Sequence, residues 1–228
     1  MLKLLIVLLP ALCMAKVSNE SELGINVVSG NTRQSIYNFK TVNTLPLSTN
    51  DTLMFGGHYS YGSAKKFRQA ENWDLNVKLE RAITPDLSLY VSQTLLGDNF
   101  GGFDWRAISQ FGEDYKIINN ETSVLIGSMG LAYAHEQATK KLDYILGKVA
   151  GAYTHTFGPR ARASLSVDYF PNFIVTKDYF LNTQLSTSTH LTGIFSTKVS
   201  LQGRFRGEPP NKKLRYDQIL MASIVAKF

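Results

Sequence analysis

The chain has 228 residues, 44% of them hydrophobic, and carries 24 Lys and Arg against 18 Asp and Glu for a formal charge of +6 at neutral pH. That composition, with a mean hydropathy of −0.10, excludes a disordered chain, and past the N-terminus no apolar run reaches the ~18 residues of a spanning helix. One cysteine, Cys13, is present, which excludes a disulfide framework and a thiolate metal site.

Residues 1–15 read as a cleavable signal peptide: Lys3, an apolar run from Leu4 to Leu12, then Cys13 and Ala15 as the small residues before a cut ahead of Lys16. Leu12 stands where a lipoprotein would have a small residue, so lipidation is disfavoured. Export makes nucleic acid the least suitable partner for the positive charge, leaving lipid phosphate or an acidic solute. An exported chain with no apolar helix spans a membrane only as a closed barrel.

Residues 16–228 read as one such barrel. Period-2 alternation predicts strands near 20–29, 34–46, 51–61, 70–82, 86–97, 103–118, 121–135, 142–157, 160–170, 177–188, 192–206 and 216–228. The clearest is the fourth, where Trp73, Leu75, Val77 and Leu79 alternate with Asp74, Asn76, Lys78 and Glu80. Short breaks fall after the second, fourth, sixth, eighth and tenth strands, with the tenth placed at Ser188–Leu191. Longer polar ones fall at Gly62–Gln69, Gly97–Gly102, Glu136–Lys141, Pro171–Thr176 and Gly207–Arg215. Short and long alternate, so the expectation is an all-β, twelve-stranded antiparallel transmembrane barrel with periplasmic turns, outer loops and both termini periplasmic. Aromatics agree with two interfacial belts: Tyr59, Tyr61, Trp73, Phe103, Trp105, Tyr133, Tyr169, Tyr179, Phe205 and Tyr216 by the long loops, and Phe39, Tyr115, Phe157, Phe195 and Phe228 by the short turns. The last strand ends on Phe228, the kind of terminus that barrel-assembly machinery reads.

The lumen parity holds Lys40, Lys78, Arg106, Lys148, Arg160, Arg162, Lys198, Arg204 and Arg206, with Asp74 and Asp168 among the opposing charges. Two readings stay open: a polar conduit with mild anion preference, or a salt-bridged interior that fills itself. Within the first, cations at several depths form a ladder for an acidic solute. The outer loops carry Lys65, Lys66, Arg68, Lys140, Lys141, Lys212, Lys213 and Arg215, a rim that suits lipopolysaccharide phosphate or is simply solvated. His58 and Ser60 share a strand parity, but no nucleophile motif surrounds them, so no catalytic residue, metal site or cofactor is expected. Gly101-Gly102 has no following helix to make a phosphate cradle.

Three segments resemble the salt-induced outer-membrane protein family (YdiY-like): S-E-L-G-I-N-V-V-S-G-N-T from Ser21, F-D-W-R-A-I-S-Q-F-G-E-D-Y-K from Phe103, and E-P-P-N-K-K-L-R-Y-D-Q-I-L-M-A-S-I-V-A-K-F from Glu208. Gln110–Tyr115 departs from the glycine-x-glycine-aromatic pattern usual there, and Val225 and Ala226 stand where an aromatic is usual. The resemblance implies an outer-membrane barrel linked to salt stress and carries no activity or site residues with it. The expected function is a narrow porin-like passive channel. The alternatives are a non-conducting structural or lipid-organising barrel, for which homo-oligomerisation stays open, and a lipid-modifying enzyme.

Overall fold

A computed structural model describes residues 17–28, 34–64, 67–98, 103–137, 141–209 and 215–228. Expectations that fall on residues 1–15, Gly101-Gly102, Lys65, Lys66, Lys140, Lys212 and Lys213 lie outside the described residues. Twelve strands are described: β1 (Ser18–Val28), β2 (Gln34–Pro46), β3 (Asp51–Ala64), β4 (Phe67–Ala82), β5 (Leu87–Asp98), β6 (Phe103–Asn119), β7 (Ser123–Gln137), β8 (Lys141–Phe157), β9 (Ala161–Phe170), β10 (Phe180–Thr192), β11 (Phe195–Arg206) and β12 (Tyr216–Lys227). Each pairs antiparallel with its sequence neighbours, and β12 closes on β1 from Glu20↔Lys227 to Ile25↔Ala222. Asn19 and Phe228 exchange backbone hydrogen bonds of 3.0 and 2.9 Å at the foot of that seam, and Lys227 Nζ meets Glu20 Oε2 at 2.7 Å. Closure leaves no free sheet edge.

The barrel is inside out. Leu75, Val77 and Leu79 of β4, Leu89 and Val91 of β5, and Phe111 of β6 are exposed on the outer surface, and similar residues continue round it. A soluble protein seldom exposes an apolar patch beyond about 300–600 Å², so this belt calls for lipid around it. Inside, small and polar side chains are buried, among them Glu22, Ser60, Glu136, Ser186 and Ser200. The interior apolar cluster is small: Ala132, Ala134, Tyr144 and Leu146, with Ile108, Phe170 and Phe180 against it.

At the end that carries both chain termini, three turns are held by side-chain caps. Ser48 Oγ accepts from the amides of Asn50 and Asp51, Thr84 Oγ1 from Asp86 and Leu87, and Asn120 Oδ1 from Thr122 and Ser123. These are short polar turns of the Ser/Thr and Asx kind. A fourth uses Gly158 at φ 63°, where only glycine avoids a steric penalty.

Three boundaries differ from the expectation. The last turn lies at Gly193-Ile194, not at Ser188–Leu191, because the β-favouring run through Thr192 stays in the sheet and Gly193 supplies the bend at φ 26°. Arg160 belongs to the turn before β9, not to the strand. At the other end of the barrel, β3, β4, β7 and β8 run on through the segments read as loops, so only residues 65–66 separate β3 from β4 and 138–140 separate β7 from β8. The connection 207–215 keeps its expected bounds, while 171–179 is longer than the expected 171–176, because β10 starts only at Phe180. Polar residues that face water on one side of a tall strand look like loop in a sequence.

Tyr133, Tyr169 and Tyr216 lie exposed toward the long-loop end with Phe205 half-buried, and Phe157, Phe195 and Phe228 lie exposed toward the terminal end; Phe103 departs from the expected belt and is buried, under the Arg106 guanidinium. Phe39 departs from the expected belt: it is mid-strand in β2, paired in register with Tyr59.

Candidate conduit through the barrel

Across the wall of β4 to β8 one register row reads Glu80–Tyr90–Gly112–Gly130–Lys148. Gly112 makes room for the Tyr90 side chain to lie along the wall, and Gly130 lets its backbone pass close to that of Phe111 and Gly112. A Cβ on Gly112 would stand 2.8 Å from the Tyr90 hydroxyl and 2.9 Å from its Cζ. Tyr90 is thus 4% exposed in the middle of a barrel. Lys148 Nζ donates to the Tyr90 hydroxyl at 3.2 Å, and Lys78 lies 4.6 Å from the ring centroid. Lys78 also bonds Asp114 Oδ2 at 2.6 Å and Glu80 Oε2 at 2.8 Å, while Ser128 Oγ donates to the other Asp114 oxygen at 2.6 Å. The charges on this wall are spent on one another.

A second mesh fills one side of the lumen at the long-loop end. Glu136, on β7, is completely buried and accepts from Arg106 Nε at 2.7 Å and from Arg206 Nη1 at 3.3 Å. Arg206 also makes a forked pair with Asp178, at 3.0 and 2.9 Å, and donates to the Tyr144 hydroxyl at 2.8 Å. Phe180 lies between the guanidiniums, 5.0 Å from each. Asp178 is brought in because the β9–β10 connection folds back on β8: the Gly147 amide bonds Pro171 O and the Phe173 amide bonds Ile145 O, both at 2.9 Å. A bare buried carboxylate costs several kcal/mol, and two guanidiniums offset it here. Near the terminal end, Lys198 Nζ bonds Glu22 Oε2 at 2.8 Å and Ser223 Oγ bonds Glu22 Oε1 at 2.6 Å.

The wall from β9 to β11 differs in kind. Its lumen rows read Asp168–Asn182–Arg204, then Ser166–Gln184–Gln202, then Ser164–Ser186–Ser200. Between this wall and Asn72 and Asp74 of β4 lies a cavity of about 560 Å³, roofed by the Arg106–Arg206 mesh on one side and reaching Arg215 at the loop end.

The residues singled out from the sequence therefore separate into groups. Lys78, Arg106, Lys198 and Arg206 point into the lumen but are held by carboxylates, and Asp74 stands 3.3 Å from His58 Nδ1. Lys148 is held by Tyr90, and its charge acts on Asp168. Lys40, Arg162 and Arg204 are exposed on the lumen parity and form no ion pair with any described side chain. Arg160 is exposed in its turn. The rim set is described in part: Arg68 and Lys141 lie within β4 and β8, and Arg215 is exposed at the loop end. Ser60 is buried and donates to Asn38 rather than to His58. The other histidines near strand ends belong to outward clusters. His135 shares Asp143 Oδ1 with Tyr133, at 2.7 Å each, and His155 Nδ1 lies 2.9 Å from Ser123 Oγ with Phe157 edge-on at 4.5 Å. Such polar-tipped aromatics suit a membrane–water interface.

Tyr90, Glu136, Asp178 and Glu22 organise the lumen and were not singled out. Tyr90 carried a signal, an aromatic on the polar parity of β5; Glu136 and Asp178 carried none, since their partners are strands away.

The barrel matches solved bacterial outer-membrane proteins in fold. An outer-membrane channel from Pseudomonas putida F1 superposes with TM-score 0.59 at 10% identity, over 94% of this chain and 96% of that one. The NanC porin gives 0.57 at 6% identity, over 92% and 98%. The KdgM porin, solved in complex with disordered oligogalacturonate, gives 0.54 at 8%, over 92% and 99%. Comparison with curated proteins returns no match. A family model does match, over residues 21–228: the chain belongs to DUF481, a family of proteins of unknown function.

Proposed function

We propose that the protein is a narrow passive channel of the bacterial outer membrane, with a mild preference for anions and with both termini on the periplasmic side. The observation that carries this reading is the 560 Å³ cavity inside a closed barrel with an apolar exterior, a cavity lined by both apolar and polar side chains. A twelve-stranded barrel lies between the ~8-stranded ones filled by side chains and the ~16-stranded ones with a water channel. Anion preference rests on Lys40, Arg162 and Arg204, exposed lumen cations that form no ion pair with a described side chain. Lys78 and Lys198 of the ladder do not contribute, since carboxylates hold them; Lys148, half-buried against the neutral Tyr90 hydroxyl, keeps its charge. Likeness to channels and porins agrees with a conduit, and the basic loop residues are suited to lipopolysaccharide phosphate. Refolded protein in a planar lipid bilayer should give discrete current steps; a silent membrane in every salt would remove the reading.

The buried Arg106–Glu136–Arg206–Asp178 mesh favours a second reading, a closed barrel with a structural role. Substitutions that loosen the mesh would then raise conductance from zero instead of changing an existing current.

A further inference from the structure

The β9–β11 wall of the cavity carries free hydrogen-bonding capacity. The amides of Asn182, Gln184 and Gln202 and the hydroxyl of Ser166 line the cavity, and none of them bonds another described side chain. Across the cavity stand Asn72, Asp74 and Asp98, and farther along the β4–β7 wall Lys78, Glu80, Asp114 and Ser128 bond each other. Polar side chains on neighbouring positions of paired strands stand about 5 Å apart across the sheet and roughly 7 Å apart along it. Amide side chains on that grid reach toward one another and offer several donors and acceptors to a polyhydroxylated ring. Arg204 sits in the row above, one strand from Asn182. Asp168 lies in the same row, and the row continues to Asp217 on β12, opposite Arg204 in register; Arg204 lines the cavity and forms no ion pair with a described side chain, so it is the cation this wall offers.

From this juxtaposition we propose that the cavity is a binding site for a hydroxyl-rich monocarboxylate of sugar-acid type, with Arg204 taking the carboxylate and Gln184, Gln202 and Asn182 taking the hydroxyls. Its volume of about 560 Å³ lies within the ~300–1,000 Å³ of small-molecule sites and admits a sugar of one or two rings. The inference rests on the channel reading for its biological sense and deepens it by naming the solute class. Neither hydroxyls nor charge alone fill the site: a neutral sugar leaves Arg204 unsatisfied, and a simple fatty acid leaves the amides unsatisfied.

The test has two arms on the full barrel in detergent or bilayer, with sodium glucuronate, glucose and sodium propionate as probes. By calorimetry, glucuronate should bind at least roughly tenfold more tightly than either control, because each lacks one set of contacts. Arg204→Gln should weaken glucuronate by roughly tenfold or more, a charge-assisted bond being lost, and Arg204→Lys should recover part of it. Gln184→Leu and Gln202→Leu should each weaken it several-fold while leaving propionate unchanged. In bilayers, glucuronate should reduce the chloride current at concentrations where glucose and propionate do not. Equal binding of all three probes, or of none, would overturn the inference while leaving any salt conductance, and hence the channel reading, intact. Selective binding by a barrel that passes no current would do the reverse. Heat-modifiable migration on gels confirms that each variant is folded before either arm is read.

Discussion

Glu136→Gln is the substitution whose consequence the structure fixes most closely. The wild-type mesh is neutral, with Arg106 and Arg206 against Glu136 and Asp178. Arg206 keeps its forked pair with Asp178 when Glu136 loses its charge. Arg106 keeps no carboxylate among the described residues, and its side chain is 10% exposed. The cost therefore falls on one buried guanidinium, about 3–5 kcal/mol. Its contacts with Phe103 and Phe180, at 4.4 and 5.0 Å, exist in both proteins and do not change the difference. Unfolding equilibria of refolded protein in lipid vesicles, followed in urea by the fluorescence of Trp73 and Trp105, should shift by roughly a hundredfold or more toward the unfolded state. The double change Arg106→Met with Glu136→Met removes both charges and should return most of that loss, since apolar replacement of a buried pair is commonly neutral. A single variant within about 1 kcal/mol of wild type, or a double variant as unstable as the single, would refute this account.

Gly112→Ala should destabilise by about 1–3 kcal/mol, because the added methyl meets the Met129 carbonyl of the neighbouring strand and the packed Tyr90 ring; Tyr90→Phe, losing the bond to Lys148, should cost about 0.5–1.5 kcal/mol in the same urea titration. Replacing Lys40, Arg162 and Arg204 together by Glu should turn anion preference into cation preference, read as the sign of the reversal potential, whereas Lys78→Met should leave that sign unchanged. Deleting Phe228 removes the backbone pair with Asn19 at the seam and, on our reading, the assembly address; the yield in outer-membrane fractions should fall while refolding in detergent persists.

Strand number, order and facing were legible because a barrel wall has one apolar side and a period of two: a register error of one residue would expose Lys78 and bury Leu79. What the lumen does with its charges was not legible. Lys78, Lys148 and Lys198 look alike on the polar parity, yet each finds a partner set by geometry around the barrel, Asp114 two strands from Lys78 and Glu22 two strands from Lys198. Glu136 looked like part of a polar loop because β7 continues to Gln137. The β9–β11 wall was overlooked because Asn, Gln and Ser on a strand look like ordinary lumen filler; they acquire meaning only when the cavity they line is seen.

The central claim is a conducting, weakly anion-selective lumen. The most direct test is the reversal potential of single refolded barrels in a planar bilayer under a potassium chloride gradient. The account predicts discrete steps whose reversal potential lies on the chloride side of zero. Steps that reverse on the potassium side, or a membrane that stays silent with folded barrel inserted, would contradict it.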